Sequence, residues 1–335
     1  MKFLLLFNLS YLFLFFIFFK NISKYLNIYD KPDNRKIHDT NVSLVGGIFV
    51  TSSFYLYLLS FAIFDISKIN NLFYFNTQIV AFFISSFFFF IIGLVDDKKN
   101  LSANKKAALF LFLILFNILL DSKLEVQILY FSFTSKYILL QKISLLFTVI
   151  SIFLLLNAIN MYDGANMQIG NYFVVSILYL SYKSGSLYIA FLVLPILLFL
   201  ILNSLNKTFI GNSGAYFLGF FLSYLIIKIY NSGQILSDEI VILLFYPIID
   251  LVRLFFYRII RNENPFVADK NHIHHILLKK YKKNYIVQLT LLVLTFYPLL
   301  LYEIFGINLL ILILANFLTY FILIKNYLFS NYNNQ

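Results

Sequence analysis

The stretch Phe87-Phe88-Phe89-Phe90-Ile91-Ile92-Gly93-Leu94-Val95-Asp96-Asp97 decides the fold. It closes a longer apolar run over residues 78–95 with two adjacent carboxylates. A run of this length can cross the hydrocarbon core of a bilayer as a helix, which takes roughly 17 to 25 residues. Paired carboxylates are costly to desolvate, so they face water or hold a cation. The stretch therefore predicts a membrane helix with chemistry at one end.

The composition of the whole chain supports a membrane protein. Hydrophobic residues make up 61% of the 335 residues and charged residues only 12%, whereas soluble domains are about half apolar and about a quarter charged. The chain has no cysteine. This excludes a disulfide framework and a thiolate nucleophile, and a structural zinc site would lack its usual ligands.

The apolar runs predict an all-α polytopic membrane protein with about 11 transmembrane helices in a single domain over residues 1–335. The predicted spans are 3–19, 46–64, 78–95, 106–120, 143–159, 169–182, 186–203, 209–228, 239–257, 285–302 and 307–324. No small-residue cleavage site follows the first run, so it is interpreted as a retained span. Aromatic and β-branched residues near 126–140 predict a small external β-hairpin.

Most basic residues lie in or beside the connections 20–45, 96–105, 160–168, 204–208 and 258–284, called here inner connections one to five. Because Lys and Arg accumulate in cytoplasmic loops, this pattern predicts an outside N-terminus and a cytoplasmic C-terminus. The net charge of +11 could also indicate nucleic acid or anionic lipid as a partner. The topology signal is the simpler interpretation, and no nucleic acid partner is expected.

Inner connection one contains Asp30-Lys31-Pro32-Asp33-Asn34-Arg35-Lys36-Ile37-His38, and the next span opens with Gly46-Gly47. Mixed charge beside a proline is typical of a solvated turn. The paired glycines allow a backbone or a ligand to approach closely. Both interpretations stay open for this connection.

Inner connections two and three carry carboxylates and amides where spans end. Asp96 and Asp97 are followed by lysines that include Lys105, which fits either a hydrated helix end or a site for Mg²⁺ and phosphate. In connection three, Asn157, Asn160 and Asp163 recur at i, i+3 and i+6 and form one polar stripe on a helix. Such a stripe could bind Mg²⁺ or a sugar, or it could join two helices by hydrogen bonds.

Inner connections four and five complete the polar set. Small residues in Gly211-Asn212-Ser213-Gly214 leave backbone N–H groups at a helix start free to meet an anion, although this signal is weak alone. Connection five is the richest in functional side chains, namely Asp250, Arg253, Arg258, Arg261, Asp269 and His272-Ile273-His274-His275. Zinc ligation by the histidines is the alternative to recognition of phosphate and sugar hydroxyls, which neutral imidazoles and guanidinium groups favour.

Together the five connections, from about Asp30 to His275, resemble the polyprenyl-phosphate N-acetylhexosamine-1-phosphate transferases, a family of membrane glycosyltransferases. The resemblance is to the branch that initiates O-antigen, enterobacterial common antigen and teichoic acid. It implies Mg²⁺-dependent attack (Mn²⁺ is an alternative) by undecaprenyl phosphate on the β-phosphorus of a UDP-amino sugar, with release of UMP. It also implies a bacterial inner-membrane protein with its site on the cytoplasmic face, in contact with membrane lipid; a homodimer is left open.

The resemblance implies a role for each matching residue. The catalytic positions are Asp96, Asp97 and Asp163. The metal ligands are Asp97, Asn160 and Asn212. The substrate-binding residues are Asp30, Arg35, His38, Lys105, Asn157, Arg258, His272, His274 and His275.

Two residues depart from the family pattern. Asn212 and Asn166 stand where many members have Asp, and an amide at the first position coordinates Mg²⁺ without contributing charge. It also cannot act as a carboxylate nucleophile, so direct attack by the lipid phosphate or loss of activity is implied. The rival functions are an inactive paralogue and a lipid-carrier flippase, although flippases carry ionisable groups near the bilayer midplane.

Overall fold

The computed structural model describes residues 2–30, 40–64, 77–134, 136–263 and 271–332. The chain divides into two compact units, with residues 1–126 and 142–234 in unit 1 and residues 127–141 and 235–335 in unit 2. The single domain predicted for residues 1–335 stays a prediction beside this division.

Unit 1 is a helical bundle with one short antiparallel strand pair. Its helices are α1 (Lys2–Leu26), α2 (Gly46–Phe64), α3 (Thr77–Lys99), α4 (Ala103–Leu120), α5 (Ser144–Tyr162), α6 (Gln168–Ser184), α7 (Leu187–Ala190), α8 (Val193–Ser204) and α9 (Gly211–Asn231). Strands β1 (Tyr29–Asp30) and β2 (Val42–Ser43) pair with Tyr29 opposite Ser43. This pairing closes inner connection one on itself.

Helix α9 is the centre of unit 1. Every residue from Ser213 to Ile227 is buried, and the helix packs against α2, α3 and α5. Aromatic rings on α3 stack on this helix, with Phe89 and Phe220 at a centroid distance of 4.7 Å. A helix that is buried on all sides belongs in the core of a bundle, so α9 is the element around which the other helices of unit 1 pack.

Two glycines let the neighbouring helices approach the start of α9. A Cβ on Gly93 of α3 would lie 2.3 Å from Cα of Ser213, and one on Gly47 of α2 would lie 2.3 Å from the carbonyl oxygen of Ile210. Small residues allow this approach between membrane helices. Gly47 and Gly93 therefore allow one end of α2 and one end of α3 to lie against the start of α9.

Unit 2 contains the C-terminal helices and a second strand pair. Its elements are β3 (Ile128–Leu129), β4 (Ile138–Leu139), α10 (Ser237–Leu243), α11 (Phe245–Ile260), α12 (Ile273–Tyr281), α13 (Asn284–Phe305) and α14 (Leu309–Tyr332). β3 and β4 pair antiparallel, and Ser237 N–H donates a 2.8 Å hydrogen bond to the Tyr130 carbonyl. The membrane side of this strand pair stays a prediction.

The predicted spans all fall on helices, but the count of 11 is not confirmed. In the described part of the chain, 6 helices are long and apolar enough to cross a membrane, or up to 7 if one bent pair is a single span. The predicted span 169–182 coincides with α6, a helix of only 17 residues. The chain is therefore a helical membrane protein with fewer demonstrable spans than predicted.

The predicted ninth span, 239–257, is not one straight helix. It consists of α10 and α11, which meet at Leu244 with a bend of 72°. Pro247 follows three residues later and can neither donate a backbone hydrogen bond nor accommodate the carbonyl four residues earlier. The proline explains the break, and it turns α11 away from the direction of α10.

Candidate active site

The first four inner connections meet at one end of unit 1. Thr208 of connection four forms a parallel bridge with Ser43 of connection one, and its Oγ1 accepts a 2.9 Å hydrogen bond from Gly46 N–H. Asn203 at the end of α8 accepts a 2.5 Å hydrogen bond from Met167 N–H and donates one of 2.9 Å to the Thr208 carbonyl. Loops far apart in the sequence are thus held as one polar surface.

Asp97 lies at the start of α9. Its Oδ1 accepts a 2.8 Å hydrogen bond from Asn212 N–H and its Oδ2 one of 3.1 Å from Ser213 N–H. A carboxylate is stabilised there because the first N–H groups of a helix lack internal partners and carry the positive end of its dipole. A Cβ on Gly211 would lie 2.9 Å from Oδ2, and the φ of this residue is +66°. Glycine is therefore required for this contact.

Asp96 points into the protein. It is 2% exposed and accepts hydrogen bonds from Leu101 N–H at 2.7 Å, Lys106 Nζ at 3.1 Å and the Tyr216 hydroxyl at 2.6 Å. Three donors, one of them the cationic Lys106, satisfy this buried carboxylate. Asp96 thus fixes the turn between α3 and α4, while its neighbour Asp97 lies at the helix start.

The lysine beside Asp96 is not the predicted one. Lys106 makes the ion pair, whereas Lys105 is exposed. Successive residues on a helix point about 100° apart, so only one of the two can face α3. Its exposed position leaves Lys105 accessible to a substrate, and its predicted role stays a prediction.

The polar stripe at the end of α5 divides into two kinds of residue. Asn157 donates a 2.8 Å hydrogen bond to the Phe153 carbonyl of its own helix, which is a local bond. Asn160 and Asp163 are half-buried at the end of α5, where Asp163 caps the helix through its N–H to the Ile159 carbonyl at 3.2 Å. Asn166 in the following loop bonds Asn206.

Asp163 belongs to a group of carboxylates. Burial, and then the negative charges of Asp97 and Asp30, raise the pKa of the Asp163 carboxyl to about 8. Asp30 is the last residue of β1 and is half-buried. The predicted residues Arg35 and His38 lie outside the described residues. Three connections therefore bring negative charge into electrostatic range of one another.

The chemistry of these donors fits a hard divalent cation. Asp97, Asn160, Asn212 and Asp163 offer only oxygen ligands, the type that Mg²⁺ prefers. Asn212 contributes its N–H to Asp97 and holds a half-exposed side chain at the start of α9. In the described ranges no group of three or more His, Asp or Glu side chains forms a metal site alone, so amide oxygens would have to complete it.

The predicted residues of connection five lie in unit 2. Arg258 is 2% exposed, His272 7% and His274 1%. The ring of His274 lies parallel to that of His272, with centroids 5.5 Å apart, and His275 follows at 4.3 Å from His274. Burial and the neighbouring His275 and His272 lower the pKa of His274 well below 6.5. His272 and His274 are stacked at the start of α12, and the ring of His275 is tilted against that of His274.

Sequence reasoning missed the partners that hold the predicted residues. Lys106 and Tyr216 bind Asp96, and Asn203 joins two loops, although none of the three was assigned a role. Asp250 was noted but left without a function; it accepts a 2.8 Å hydrogen bond from His272 Nδ1. An acidic residue in an apolar helix, with a histidine 22 residues later, was the signal in the sequence that could have indicated this contact.

Comparison with known proteins gives the class. Residues 79–230 match the profile of the family described as "Glycosyl transferase family 4", and this range contains inner connections two, three and four. The match confirms the family resemblance carried by the motifs. The chain is an enzyme of the phosphoglycosyltransferase class, embedded in a membrane.

Similar proteins narrow the class. The chain is 25% identical over 284 residues to the undecaprenyl-phosphate alpha-N-acetylglucosaminyl 1-phosphate transferase of Escherichia coli K12, covering 79% of this chain and 73% of that protein. It is 26% identical over 273 residues to the probable undecaprenyl-phosphate N-acetylglucosaminyl 1-phosphate transferase of Bacillus subtilis 168, covering 77% and 72%. The similarity thus extends over most of the length of each relative.

Proposed function

We propose that the protein transfers a sugar 1-phosphate, an N-acetylhexosamine 1-phosphate, from a UDP-sugar to undecaprenyl phosphate. An oxygen of the lipid phosphate attacks the β-phosphorus, the bond from that phosphorus to the bridging oxygen breaks, and UMP leaves with that oxygen. The product, a lipid-linked diphosphate sugar, would initiate a cell-envelope polysaccharide such as O-antigen. The names of the E. coli and B. subtilis relatives support the lipid acceptor and the sugar.

The observation that carries this proposal is the meeting of four inner connections at the start of α9. Phosphoryl transfer needs positioning and neutralisation of charge more than covalent chemistry. The N–H groups of Asn212 and Ser213 at the start of α9 hold Asp97, and the charge of Asp97 acts on Asp163. Lipid phosphate can reach such a site along the helices, and the nucleotide can reach it from water.

Each carboxylate of unit 1 takes a different part in the proposal. Asp96 is saturated by Lys106, Tyr216 and Leu101, so it positions the turn after α3. Asp97 orients the α9 N-terminus, and Asp163, half-buried at the end of α5, is the carboxylate that accepts a proton from the lipid phosphate. When bound by Asp97, Asn160, Asn212 and Asp163, Mg²⁺ or Mn²⁺ would supply Lewis acidity to the diphosphate.

Asn212 favours direct attack by the lipid phosphate in this scheme. A two-step mechanism needs a carboxylate nucleophile, and the amide of Asn212 cannot supply one at the start of α9.

The cellular location is part of the proposal as well. The basic residues of the inner connections support a site on the cytoplasmic face of a bacterial inner membrane, by the positive-inside rule.

The reaction can be tested directly with purified protein in lipid nanodiscs. UDP-GlcNAc, undecaprenyl phosphate and Mg²⁺ should yield UMP and a lipid-linked sugar in equal amounts, and a panel of other UDP-amino sugars identifies the donor. Asp163→Asn should lower the turnover at least about 100-fold. Glu303→Gln, at the far end of α13 from the histidines, is the matched loss of one carboxylate and should leave turnover unchanged. No UMP from any donor, with Mg²⁺ or Mn²⁺, would refute the proposal.

A further inference from the structure

A carboxylate in unit 2 holds the predicted histidines in place. Asp250 on α11 is 3% exposed. It accepts hydrogen bonds from Arg253 Nη2 at 2.8 Å, from the Tyr320 hydroxyl at 2.9 Å and from His272 Nδ1 at 2.8 Å. Ile273 N–H lies 3.2 Å from each of its oxygens. Asp250 is therefore the centre of a network that links α11, α14 and the start of α12.

Arg253 completes the network from the other side. Its Nη2 donates a 2.6 Å hydrogen bond to the Asn271 carbonyl, and its Nε donates one of 2.7 Å to the Tyr320 hydroxyl. Three successive residues are thereby held at three different groups, namely the carbonyl of Asn271, the ring of His272 and the N–H of Ile273. A local packing contact would not fix backbone and ring together in this way.

The chemistry of Asp250 determines the tautomer of His272. An ionised carboxylate only accepts hydrogen bonds, so the proton of a neutral His272 ring must be on Nδ1. The opposite nitrogen, Nε2, is then the acceptor. A carboxylate behind a functional histidine fixes ring orientation and tautomer in the same manner in many sites.

We propose that Asp250, with Arg253 and Tyr320, is a positioning residue that holds His272 with its proton on Nδ1 and its Nε2 available to the nucleotide-sugar. This inference rests on the proposed function. The group that meets Nε2 then carries an O–H or N–H, such as a sugar hydroxyl or the imide of uracil.

The two oxygens of Asp250 make a decisive variant available. Arg253 and Tyr320 both contact Oδ1, whereas His272 contacts Oδ2. In Asp250→Asn the amide oxygen stays with Arg253 and Tyr320, so the amide nitrogen faces His272. Because this nitrogen is a donor, His272 Nδ1 must become the acceptor and the ring proton must move to Nε2.

Ring ¹⁵N NMR in lipid measures this proton directly. The chain has only 4 histidines, so selective labelling gives few signals, and His272→Gln assigns one of them. We expect Nδ1–H in the natural protein and Nε2–H in Asp250→Asn. In Asp250→Asn the KM for UDP-GlcNAc should rise about 10- to 100-fold, with a smaller change in kcat. In Asp250→Glu, which keeps the carboxylate, the KM should be closer to that of the natural protein.

Two tyrosine variants keep the test meaningful if Asp250→Asn does not fold. Tyr320→Phe removes one donor to Asp250 and should leave the tautomer unchanged while raising KM modestly. Tyr246→Phe removes a hydroxyl that contacts Thr319 at 3.1 Å. It should change neither the tautomer of His272 nor the KM for UDP-GlcNAc. A natural His272 with its proton on Nε2 or with protons on both nitrogens, or a folded Asp250→Asn with unchanged ring signals, overturns the inference. The NMR result does not require turnover, so it is independent of whether UMP is released.

Discussion

The hydroxyl of Tyr216 donates a 2.6 Å hydrogen bond to Oδ2 of Asp96, although 120 residues separate them in the sequence. The bond joins the end of α3 to the first turns of α9. It also separates the two adjacent carboxylates by function, because Asp96 faces protein donors and Asp97 faces the start of α9. The contact gives a first prediction.

Tyr216→Phe should destabilise unit 1 by about 1.5 to 3 kcal/mol, the usual range for a buried hydrogen bond to a charged group. The phenol is 1% exposed, so water cannot replace the lost donor. Thermal unfolding in nanodiscs measures the effect. Tyr25→Phe is the control because Tyr25 is 90% exposed. Equal melting temperatures for Tyr216→Phe and the natural protein would contradict the contact.

Lys106→Met and Lys105→Met should have different effects. Lys106 pairs with the buried Asp96 at 3.1 Å, so its loss leaves a carboxylate with fewer donors and should cost about 1 to 3 kcal/mol of stability. Lys105 is exposed, so its loss should leave the melting temperature unchanged. On the proposed function, its loss should raise the KM for a substrate that carries phosphate. Equal destabilisation by the two variants would show that the pairing is wrong.

Asn212→Asp should make stability depend more strongly on Mg²⁺. A new carboxylate would lie beside Asp97 at the start of α9, where like charges repel without a cation. We expect a lower melting temperature in EDTA and a rise of several degrees on addition of Mg²⁺, beyond that of the natural protein. Asn308→Asp, at the exposed start of α14, is the matched control. An unchanged response to Mg²⁺ would argue against a cation at Asn212.

His274 should make the protein less stable in mild acid. Its pKa in the folded state is well below 6.5, so below that pH the unfolded chain takes up a proton that the folded chain does not. Its contribution is fully present above pH 6.5 and declines as the pH falls towards the folded pKa, by at most about 1.4 kcal/mol per pH unit. Unfolding measured from pH 8 to pH 5 should show a shallower decline in His274→Phe. Identical declines would contradict a neutral buried ring.

The positions of the helices could be predicted from the sequence, whereas their number as membrane spans could not. Runs such as residues 78–95 locate α3 by length and apolarity alone. Pro247 was visible in the ninth predicted span and indicates the break before α11. Whether a helix such as α6 crosses a bilayer depends on its neighbours, and the sequence of one helix does not contain them.

The sequence predicted which residues belong to the candidate site, but it did not predict which residues contact one another there. Asp97 and Asn212 were both named, but their contact depends on the close approach that Gly93 allows between α3 and α9. Lys105 and Lys106 are equivalent as neighbouring lysines, and only the rotation of α4 separates them. Tyr216 lies among apolar residues of α9, where a single hydroxyl gives no signal that it faces a carboxylate.

The complete burial of α9 has a consequence for how the protein is made. Of the six candidate spans in the described part of the chain, α9 is the least apolar, because protein side chains rather than lipid surround it. The insertion machinery of the cell recognises apolarity, so α9 carries the weakest signal to enter the bilayer. We expect its integration during synthesis to depend on α2, α3 and α5 already being in place.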